Sequence, residues 1–282
     1  MWLSFESLGS DSKMTTSESA DSPTLYRQDG DVAHIRLNRP ESLNAVTPGL
    51  YAGIQAGIDR AADADARVVV LEGAGRAFCA GADMQQHGKR ERTAKERREY
   101  VWRAQEACAA VQTHPLPVVA KVHGYAIGAG AELALSADFI LMAENAEIRF
   151  PEVGIGTYIG GGATYTLTQR VGQARAKELV LSAATLSGEA AAEEGVVTSC
   201  HPERELDAAV AEQAAALASN APVSMEFAKA QFGRVGAATR DDMLTAEAEA
   251  LLACMATDDW QEGVDAFAED RDRSSRGCKD GH

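Results

Sequence analysis

The segment that decides the fold is PVVAKVHGYAIGAGAELALSADF, residues 117–139. It opens with a continuous apolar run, passes through a turn rich in Gly and Ala, and continues as a helix of small residues over 128–136. A second apolar run, DFILMA, follows at residues 138–143. Continuous apolar runs are typical of strands that are covered on both faces. The segment therefore predicts two buried strands joined through a helix.

The N-terminal flank repeats these strand and helix signals. VVVLEG, residues 68–73, is another continuous apolar run. Asp29-Gly30 lies between two runs that contain apolar and β-branched residues, which predicts a hairpin. Thr47-Pro48 predicts a helix start, because Thr is a good N-cap and Pro suits the first helical position. A further helix is expected within residues 90–112. The buried stripe of the helix after Thr47-Pro48 is predicted to contain Leu50, Ile54 and Ile58.

In the C-terminal flank, the alternation of strand and helix signals ends near residue 202. Before it, we predict a short EIRF segment at 147–150, helices from about residue 160 to residue 182, and VVTSC (196–200) as the last strand. The alternation of strands and helices favours a layered α/β fold with parallel strand pairing. After it, strand signals stop and only helices are predicted. Their predicted ranges are 203–220, 222–235, 240–256 and 258–270.

Three regions follow from these patterns. Residues 1–22 are rich in Ser, Asp, Glu and Thr with little to bury, which predicts a disordered leader. Residues 23–202 form the predicted α/β core, and residues 203–282 form a helical region. The apolar stripes of that region either pack against another subunit or fold back on the core, and we favour the subunit contact.

The composition argues against a nucleic-acid-binding, membrane-spanning or secreted protein. Of the 282 residues, 45% are hydrophobic and 24% are charged, so a sizeable core is expected. Asp plus Glu number 42 against 27 Lys plus Arg, and the net charge of −15 disfavours a nucleic-acid partner. No apolar stretch approaches about 18 residues, so no membrane-spanning helix is expected. The N-terminus lacks the pattern of a secretory signal. The five cysteines are scattered without a CxxC pair, so we expect a cytoplasmic protein with no disulfide or zinc framework.

Three Gly-rich segments are the candidates for chemistry. GRAFCAGADM (75–84) and HGYAIGAGAELA (123–134) each follow a predicted strand. The third segment joins FPEVG (150–154) to three glycines at 160–162. Small residues let a ligand approach the backbone closely, so that main-chain N–H groups can donate to it. Each signal alone is weak, and their order and spacing carry the information.

Taken together, the segments resemble those of the enoyl-CoA hydratase/isomerase family, the crotonases. The matching blocks, in sequence order, are LNRPESLNA (37–45), AFCAGADM (77–84), PVVAKVHGYAIGAGAELALSADF (117–139), FPEVGIG (150–156) and LVLSAATLSGEAAAEEGVV (179–197). The resemblance covers roughly residues 24–270. It implies a crotonase-like spiral of ββα units with a C-terminal helical trimerisation region, assembled as a homotrimer or as a hexamer made of two trimers. It also implies an acyl-CoA thioester as the ligand.

The resemblance implies roles for individual residues. The main-chain N–H groups of Ala82 and Ala129 are expected to form the oxyanion hole, where fixed amides stabilise charge on the thioester oxygen. Glu132 and Glu152 match the two glutamates of hydratases, which hold one water between them; one accepts its proton and the other protonates the α-carbon. Two nearby carboxyl groups resist ionising together, so one pKa is expected to rise. We therefore expect hydration of a 2-trans-enoyl-CoA to a 3-hydroxyacyl-CoA.

Contacts to coenzyme A, which is part of the substrate, are expected from the same segments. Arg76 stands where the family often has a Lys that contacts the 3′-phosphate, and Arg pairs well with phosphate. Residues 87–103 carry a local charge of about +4, which is either a solvated helix face or an attraction for the CoA phosphates. Gln85 and Asp270 replace two lysines that the family often has. The expected substrate-binding residues are Arg76, Ala80, Gly81, Asp83, Met84, Gly128 and Gly160.

Other chemistry is expected to be absent or secondary. Water addition needs no redox cofactor or metal, and the dispersed histidines match no ligand motif. His123 is expected to pack rather than to catalyse, His87 is a lesser candidate for the CoA channel, and Cys79 lacks an obvious paired base. The alternative function is a Δ3,Δ2-enoyl-CoA isomerase or another crotonase-type lyase that uses one glutamate. The acidic balance disfavours a non-catalytic or RNA-binding homologue.

Overall fold

The main sheet organises the fold. The structure is a computed structural model that describes residues 21–84 and 91–271, so the predicted leader lies outside the described residues except for its last two. Within these ranges, six strands join one sheet. They are β1 (Thr24–Asp29), β2 (Val32–Leu37), β3 (Val68–Gly73), β4 (Val118–Val122), β6 (Phe139–Ala143) and β9 (Ser199–His201), each hydrogen-bonded to the next in that order. Only β1 and β2 pair antiparallel, and the other neighbours are parallel.

The predicted hairpin and buried strands are confirmed. Asp29 pairs with Val32 across the turn, and Gly30 takes a φ of +56° there. Every residue of β3 is buried, as its continuous apolar sequence predicts. β3 is therefore an interior strand of the sheet, between β2 and β4. The Gly-rich segment 75–84 begins shortly after its end.

A second, smaller sheet is formed by strands that alternate along the chain with those of the main sheet. Its described strands are β5 (Tyr125–Ile127), β7 (Glu147–Arg149) and β8 (Thr185–Ser187). The chain enters the main sheet with β4 and the small sheet with β5 before it forms a helix, and it repeats this order with β6 and β7. This repetition is the expected spiral of ββα units.

The helices of the α/β part begin at recognisable caps. They are α1 (Pro48–Asp63), α2 (Ala94–Thr113), α3 (Ala129–Leu135), α4 (Ala163–Ser182) and α5 (Gly188–Glu193). Thr47 caps α1 by accepting from the N–H of Leu50, and Thr93 and Glu96 form a capping box at α2. The predicted stripe of α1 is buried in the core. Gly172 interrupts α4 with a non-helical backbone, so two helical pieces occupy the predicted range 160–182.

The region around residues 185–201 differs from the prediction. The last strand was expected at 196–200, but β9 begins only at Ser199, and β8 and α5 were not predicted. Val196 and Val197 are buried, yet both of their N–H groups donate to the carbonyl of Ala191 in α5 rather than to a strand. These two residues are apolar because they are buried at the end of a helix. A short apolar run looks the same in the sequence whether it is buried there or in a strand.

The four predicted C-terminal helices are present. They are α6 (Glu203–Ala218), α7 (Pro222–Arg234), α8 (Arg240–Met255) and α9 (Asp258–Ala268). Helix α6 packs on the main sheet through buried residues such as Leu206 and Val210. The later helices leave large apolar side chains exposed, among them Leu251 and Leu252 at 64% each and Phe267 at 92%. Among the described helices, none has both the length and the apolar character needed to cross a membrane.

Candidate active site

Residues 77–84 follow β3 and lie against β5. They carry Ala82, one of the two predicted oxyanion amides, and are called the oxyanion loop below. The N–H of Cys79 donates to the carbonyl of Tyr125 (2.9 Å), and the N–H of Ile127 donates to the carbonyl of Cys79 (3.0 Å). Gly81 has a φ of +90°, and a Cβ atom at this position would lie 2.5 Å from the carbonyl oxygen of Ile127. Only glycine permits this approach. The loop is therefore held tightly against the turn that precedes α3.

The segments that carry the two predicted oxyanion amides lie close together. The Cβ position of Gly81, the residue before Ala82, lies 3.6 Å from the main-chain nitrogen of Ala129. Ala129 is the first residue of α3, so its N–H has no partner within the helix. Among the described residues, no carbonyl or side chain accepts from the N–H of Ala82 or of Ala129. Ala129 keeps a negative φ, so alanine offers this N–H without backbone strain.

Glu132 lies in the first turn of α3 and is buried, with 6% of its surface exposed. The N–H of Gly160 donates to its Oε1 at 2.6 Å. Burial raises the pKa of Glu132 to about 7, against the opposing effect of the Gly160 N–H, and the negative charge of Glu152 adds to the rise. This carboxyl group therefore exchanges its proton near neutral pH.

Glu152 follows Pro151 at the start of a 3₁₀ turn, Glu152–Ile155, and is also buried. Burial raises its pKa above the ordinary value. Its Oε2 has no hydrogen-bond partner among the described residues, while its Oε1 lies 2.7 Å from the Cβ position of Gly128. Gly128 has a φ of +54° and precedes Ala129, so the absence of a side chain lets Glu152 reach the start of α3.

The segments that carry the two glutamates and the two amides thus meet at the start of α3. Glu132 lies in the first turn of α3, and Oε1 of Glu152 approaches Gly128, the residue before that helix. The negative charge of Glu152 contributes to the raised pKa of Glu132, so the two carboxyl groups are close enough to interact. Two acids of raised pKa beside a pair of unused N–H donors can transfer protons next to a carbonyl whose oxygen becomes negative.

Comparison with known proteins identifies the family. A sequence profile described as Enoyl-CoA hydratase/isomerase matches residues 27–276. The chain belongs to the enoyl-CoA hydratase/isomerase family. Within this family it is 32% identical over 249 residues to the short-chain-enoyl-CoA hydratase of Clostridium acetobutylicum, covering 88% of this chain and 95% of that one. It is 30% identical over 249 residues to the crotonyl-CoA hydratase of Syntrophomonas wolfei, with the same coverage of each chain.

Solved structures of the family agree with the fold. The crystal structure of an enoyl-CoA hydratase from Bacillus anthracis superimposes with a TM-score of 0.85 at 31% sequence identity, covering 90% of this chain and 98% of that chain. An enoyl-CoA hydratase structure from Mycobacterium tuberculosis gives a TM-score of 0.81 at 30% identity, covering 92% of this chain and 99% of that one. The α/β fold with its C-terminal helices is therefore the crotonase fold.

Several residues expected to bind substrate have other contacts in this crotonase. Asp83 forms an ion pair with Arg39 at 3.2 Å. The N–H of Ala80 donates to the carbonyl of Leu43, and the carbonyl of Gly81 accepts from the N–H of Val46. These groups shape the oxyanion loop. Arg76 and Met84 are exposed at the two ends of the loop, where a ligand can reach them.

The remaining residues considered in the sequence analysis are His123, Cys79, His87 and Gln85. The ring of His123 makes a 2.9 Å hydrogen bond to the carbonyl of Gly75, consistent with a packing role. Burial raises the pKa of Cys79 to about 12, and its thiol donates to the carbonyl of Asn44, so it stays protonated at neutral pH. His87 and Gln85 lie outside the described residues.

Sequence reasoning missed Asn44, which holds the oxyanion loop of this crotonase in place. Asn44 is fully buried with a φ of +57°. Its Nδ2 donates to the carbonyls of Ala74 and Ala77 at 2.8 Å each, and its Oδ1 accepts from the N–H of Arg39. Asn tolerates the left-handed region better than most residues. The block LNRPESLNA contains both Arg39 and Asn44, so a signal was present without indicating what the side chains contact.

Proposed function

We propose that this enzyme adds water to a 2-trans-enoyl-CoA and forms a 3-hydroxyacyl-CoA. The observation that carries the proposal is a pair of buried, interacting glutamates: Glu132 in the first turn of α3, and Glu152, whose Oε1 reaches Gly128 immediately before the Ala129 amide. One carboxylate removes a proton from water while the water oxygen bonds to the β-carbon. The π electrons move to the thioester oxygen, and the other carboxyl group then delivers a proton to the α-carbon.

The thioester oxygen is proposed to accept from the N–H groups of Ala82 and Ala129. Negative charge grows on this oxygen as the carbon–carbon double bond is consumed. Amides fixed in advance stabilise that charge without reorganising, and one such donor is worth about 10²–10³ in rate. The support is the closeness of the two segments and the lack of another acceptor for either N–H among the described residues.

The electrostatics suit a shared proton. A pKa of about 7 for Glu132, caused mainly by burial, keeps a protonated fraction at neutral pH. Burial also raises the pKa of Glu152, and the negative charge of Glu152 opposes ionisation of Glu132. The pair can therefore hold one proton at neutral pH, so that one group acts as a base and the other as an acid. We propose that the reaction uses no metal and no cofactor besides the CoA of the substrate.

The CoA portion is proposed to lie along the exposed basic residues near the oxyanion loop. Arg76 is exposed at the start of the loop. The exposed basic residues in the described part of 87–103 are Lys95, Arg97, Arg98 and Arg103. The same stretch also holds Glu91, Glu96 and Glu99, with Glu99 paired to Lys95 at 3.8 Å, and basic residues outnumber acidic ones in it. In a chain of net charge −15, this excess of basic residues favours an approaching anion such as the CoA phosphates.

Crotonyl-CoA is the substrate to test first, because two relatives are named a short-chain-enoyl-CoA hydratase and a crotonyl-CoA hydratase. Hydration removes the conjugated double bond, so absorbance of the unsaturated thioester should fall when enzyme is added. Consumption of a 3-enoyl-CoA without consumption of crotonyl-CoA would instead indicate isomerisation. A salt-sensitive shift of RNA on a gel with no turnover of either thioester would indicate a binding protein. A panel of C4 to C16 and aromatic enoyl-CoAs would then define the preferred acyl group.

A further inference from the structure

One polar side chain on α2 contacts both the loop that faces Glu132 and the helix that carries it. Gln112 is partly buried near the C-terminal end of α2. Its Nε2 donates to the carbonyl of Gly161 at 2.9 Å and to the hydroxyl of Ser136 at 3.4 Å. The Ser136 hydroxyl in turn donates to the carbonyl of Glu132 at 2.8 Å. A single amide group therefore joins the loop that contains Gly160 and Gly161 to the C-terminal end of the helix that carries Glu132.

The loop held by Gln112 supplies the hydrogen bond to the Glu132 carboxyl group. The N–H of Gly160 donates to Oε1 of Glu132, and the carbonyl that Gln112 binds belongs to the next residue. Gly161 also packs closely on α2, because its Cβ position lies 2.8 Å from Cys108 Sγ. Cys108 and Gln112 are four residues apart, so both lie on the same face of the helix.

We infer that Gln112 is a positioning residue for the hydration reaction, acting through Gly161 and Gly160 to aim the carboxyl group of Glu132. This inference rests on the proposed function. Gln112 does not itself contact the reacting atoms. Its role is to fix the distance between the Gly160 N–H and the carboxyl group, because one bond fastens the donor's loop and the other fastens the helix of the acceptor.

The inference has a chemical consequence beyond stability. The Gly160 N–H stabilises the ionised form of Glu132 and lowers its pKa against the effect of burial. If Gln112 no longer holds the loop, this hydrogen bond weakens, so the carboxyl group needs a higher pH to ionise. Its orientation also becomes less defined, which slows proton transfer even when substrate still binds.

Gln112→Met tests the inference, because Met has similar length and lacks the amide donors. We expect kcat for crotonyl-CoA to fall by about 10- to 100-fold with KM changed less than about twofold. The carboxyl signal of Glu132, followed by ¹³C NMR titration and identified by its loss in Glu132→Gln, should move to a higher pH. Gln169→Met, at an exposed position on α4, is the matched control and should leave both measurements unchanged.

Gln112→Lys provides the second variant, because a lysine can still donate to Gly161 and Ser136. It should retain more activity than Gln112→Met, and its added positive charge should move the Glu132 titration to a lower pH. An unchanged kcat and an unchanged titration in Gln112→Met would overturn the inference, as would a fall in kcat without a shift in the titration. Failure of the wild-type protein to hydrate any enoyl-CoA would refute the proposed function, while the titration would still decide whether Gln112 acts on Glu132.

Discussion

Glu132 and Glu152 are the residues on which the proposed chemistry depends. Glu132→Gln and Glu152→Gln keep the shape of each side chain and remove its ability to exchange a proton. Each substitution should lower kcat for hydration by at least about 10²-fold, since general acid or base catalysis contributes about 10²–10⁴. The dissociation constant for CoA, measured by calorimetry, should change little because neither carboxyl group is proposed to contact the nucleotide.

The control for these variants is Glu147→Gln, which changes an exposed carboxyl group on the neighbouring strand β7. It should retain wild-type turnover. If Glu132→Gln or Glu152→Gln keeps most of the wild-type kcat, the assigned pair does not perform the proton transfers. Activity retained only in Glu152→Gln or only in Glu132→Gln would favour chemistry that uses one glutamate, such as isomerisation.

The raised pKa of Glu132 also predicts a cost in stability. Folding moves its pKa from 4.5 to about 7, so the unfolded chain releases this proton at a lower pH than the folded protein does. Below about pH 4.5 the group is protonated in both states and has no effect. Between about pH 4.5 and 7 its contribution becomes increasingly destabilising, reaching about 3 kcal/mol at the conversion of 1.4 kcal/mol per pKa unit.

Glu132→Gln should remove this destabilisation. The melting temperature of the variant relative to wild type should therefore rise as the pH increases from 5.5 to 8.5, measured by calorimetry or circular dichroism. Glu147→Gln, whose side chain is exposed, should show no such trend. A constant difference between Glu132→Gln and wild type across this pH range would contradict a strongly raised pKa for Glu132.

At the scale of elements, the oxyanion loop depends on a segment more than 30 residues before it. Asn44→Ala removes the donors to the carbonyls of Ala74 and Ala77 and places alanine at a φ of +57°. Leaving the buried carbonyl of Ala77 without a donor costs about 1–3 kcal/mol, and the partly buried carbonyl of Ala74 adds a smaller cost. We expect a lower free energy of unfolding in urea, and a larger fall in kcat/KM than a folding defect alone explains, because the Ala82 amide loses its fixed position.

Asn44→Gly separates backbone strain from the hydrogen bonds. Glycine accepts the positive φ but supplies no donor, so it should lose nearly as much activity as Asn44→Ala. Asn145→Ala, at an exposed position outside the loop, serves as the control and should behave as wild type. Near-normal kcat/KM in Asn44→Gly would mean that the loop holds its shape without the side chain of Asn44.

The elements that sequence reasoning located are those whose signal is local. The hairpin at Asp29-Gly30, the buried strand β3 and the cap of α1 each follow from neighbouring residues. β8 has only three residues, too few to show a period, and the strand expected at 196–200 was misplaced because Val196 and Val197 are buried under the end of α5. Short elements in this fold depend on tertiary contacts, which the local pattern does not contain.

In the candidate site, too, the sequence predicted some features and could not predict those that depend on tertiary contacts. The family blocks predicted a pair formed by Glu132 and Glu152, and the structure buries both side chains, Glu132 in the first turn of α3 and Glu152 against Gly128. Their catalytic roles stay a prediction. The blocks did not predict that Asp83 pairs with Arg39, or that Gln112 reaches the carbonyl of Gly161. These contacts join residues 44 and 49 positions apart in the sequence. Their existence depends on the relative placement of whole elements, for which the spacing of residue types gives no information.

At the scale of the whole molecule, the C-terminal helices carry the prediction of assembly. Leu251 and Leu252 on α8 and Phe267 on α9 are largely exposed, and apolar surface of this kind is typical of subunit contacts. The crotonase resemblance implies a trimer or a hexamer made of two trimers. We expect light scattering after gel filtration to give about 89 kDa or twice that mass for chains of 29.8 kDa.

Charges placed on the exposed face of α8 should prevent that assembly. The double variant Leu251→Glu/Leu252→Glu would add two carboxylates per subunit to the proposed contact face, where assembly would remove them from water. It should elute as a monomer with wild-type helix content by circular dichroism. Ala211→Glu/Ala215→Glu adds the same number of charges on the exposed side of α6 and should keep the wild-type mass. A monomeric wild-type protein, or an unchanged mass in the α8 double variant, would show that these helices do not join subunits and that their apolar side chains need another explanation.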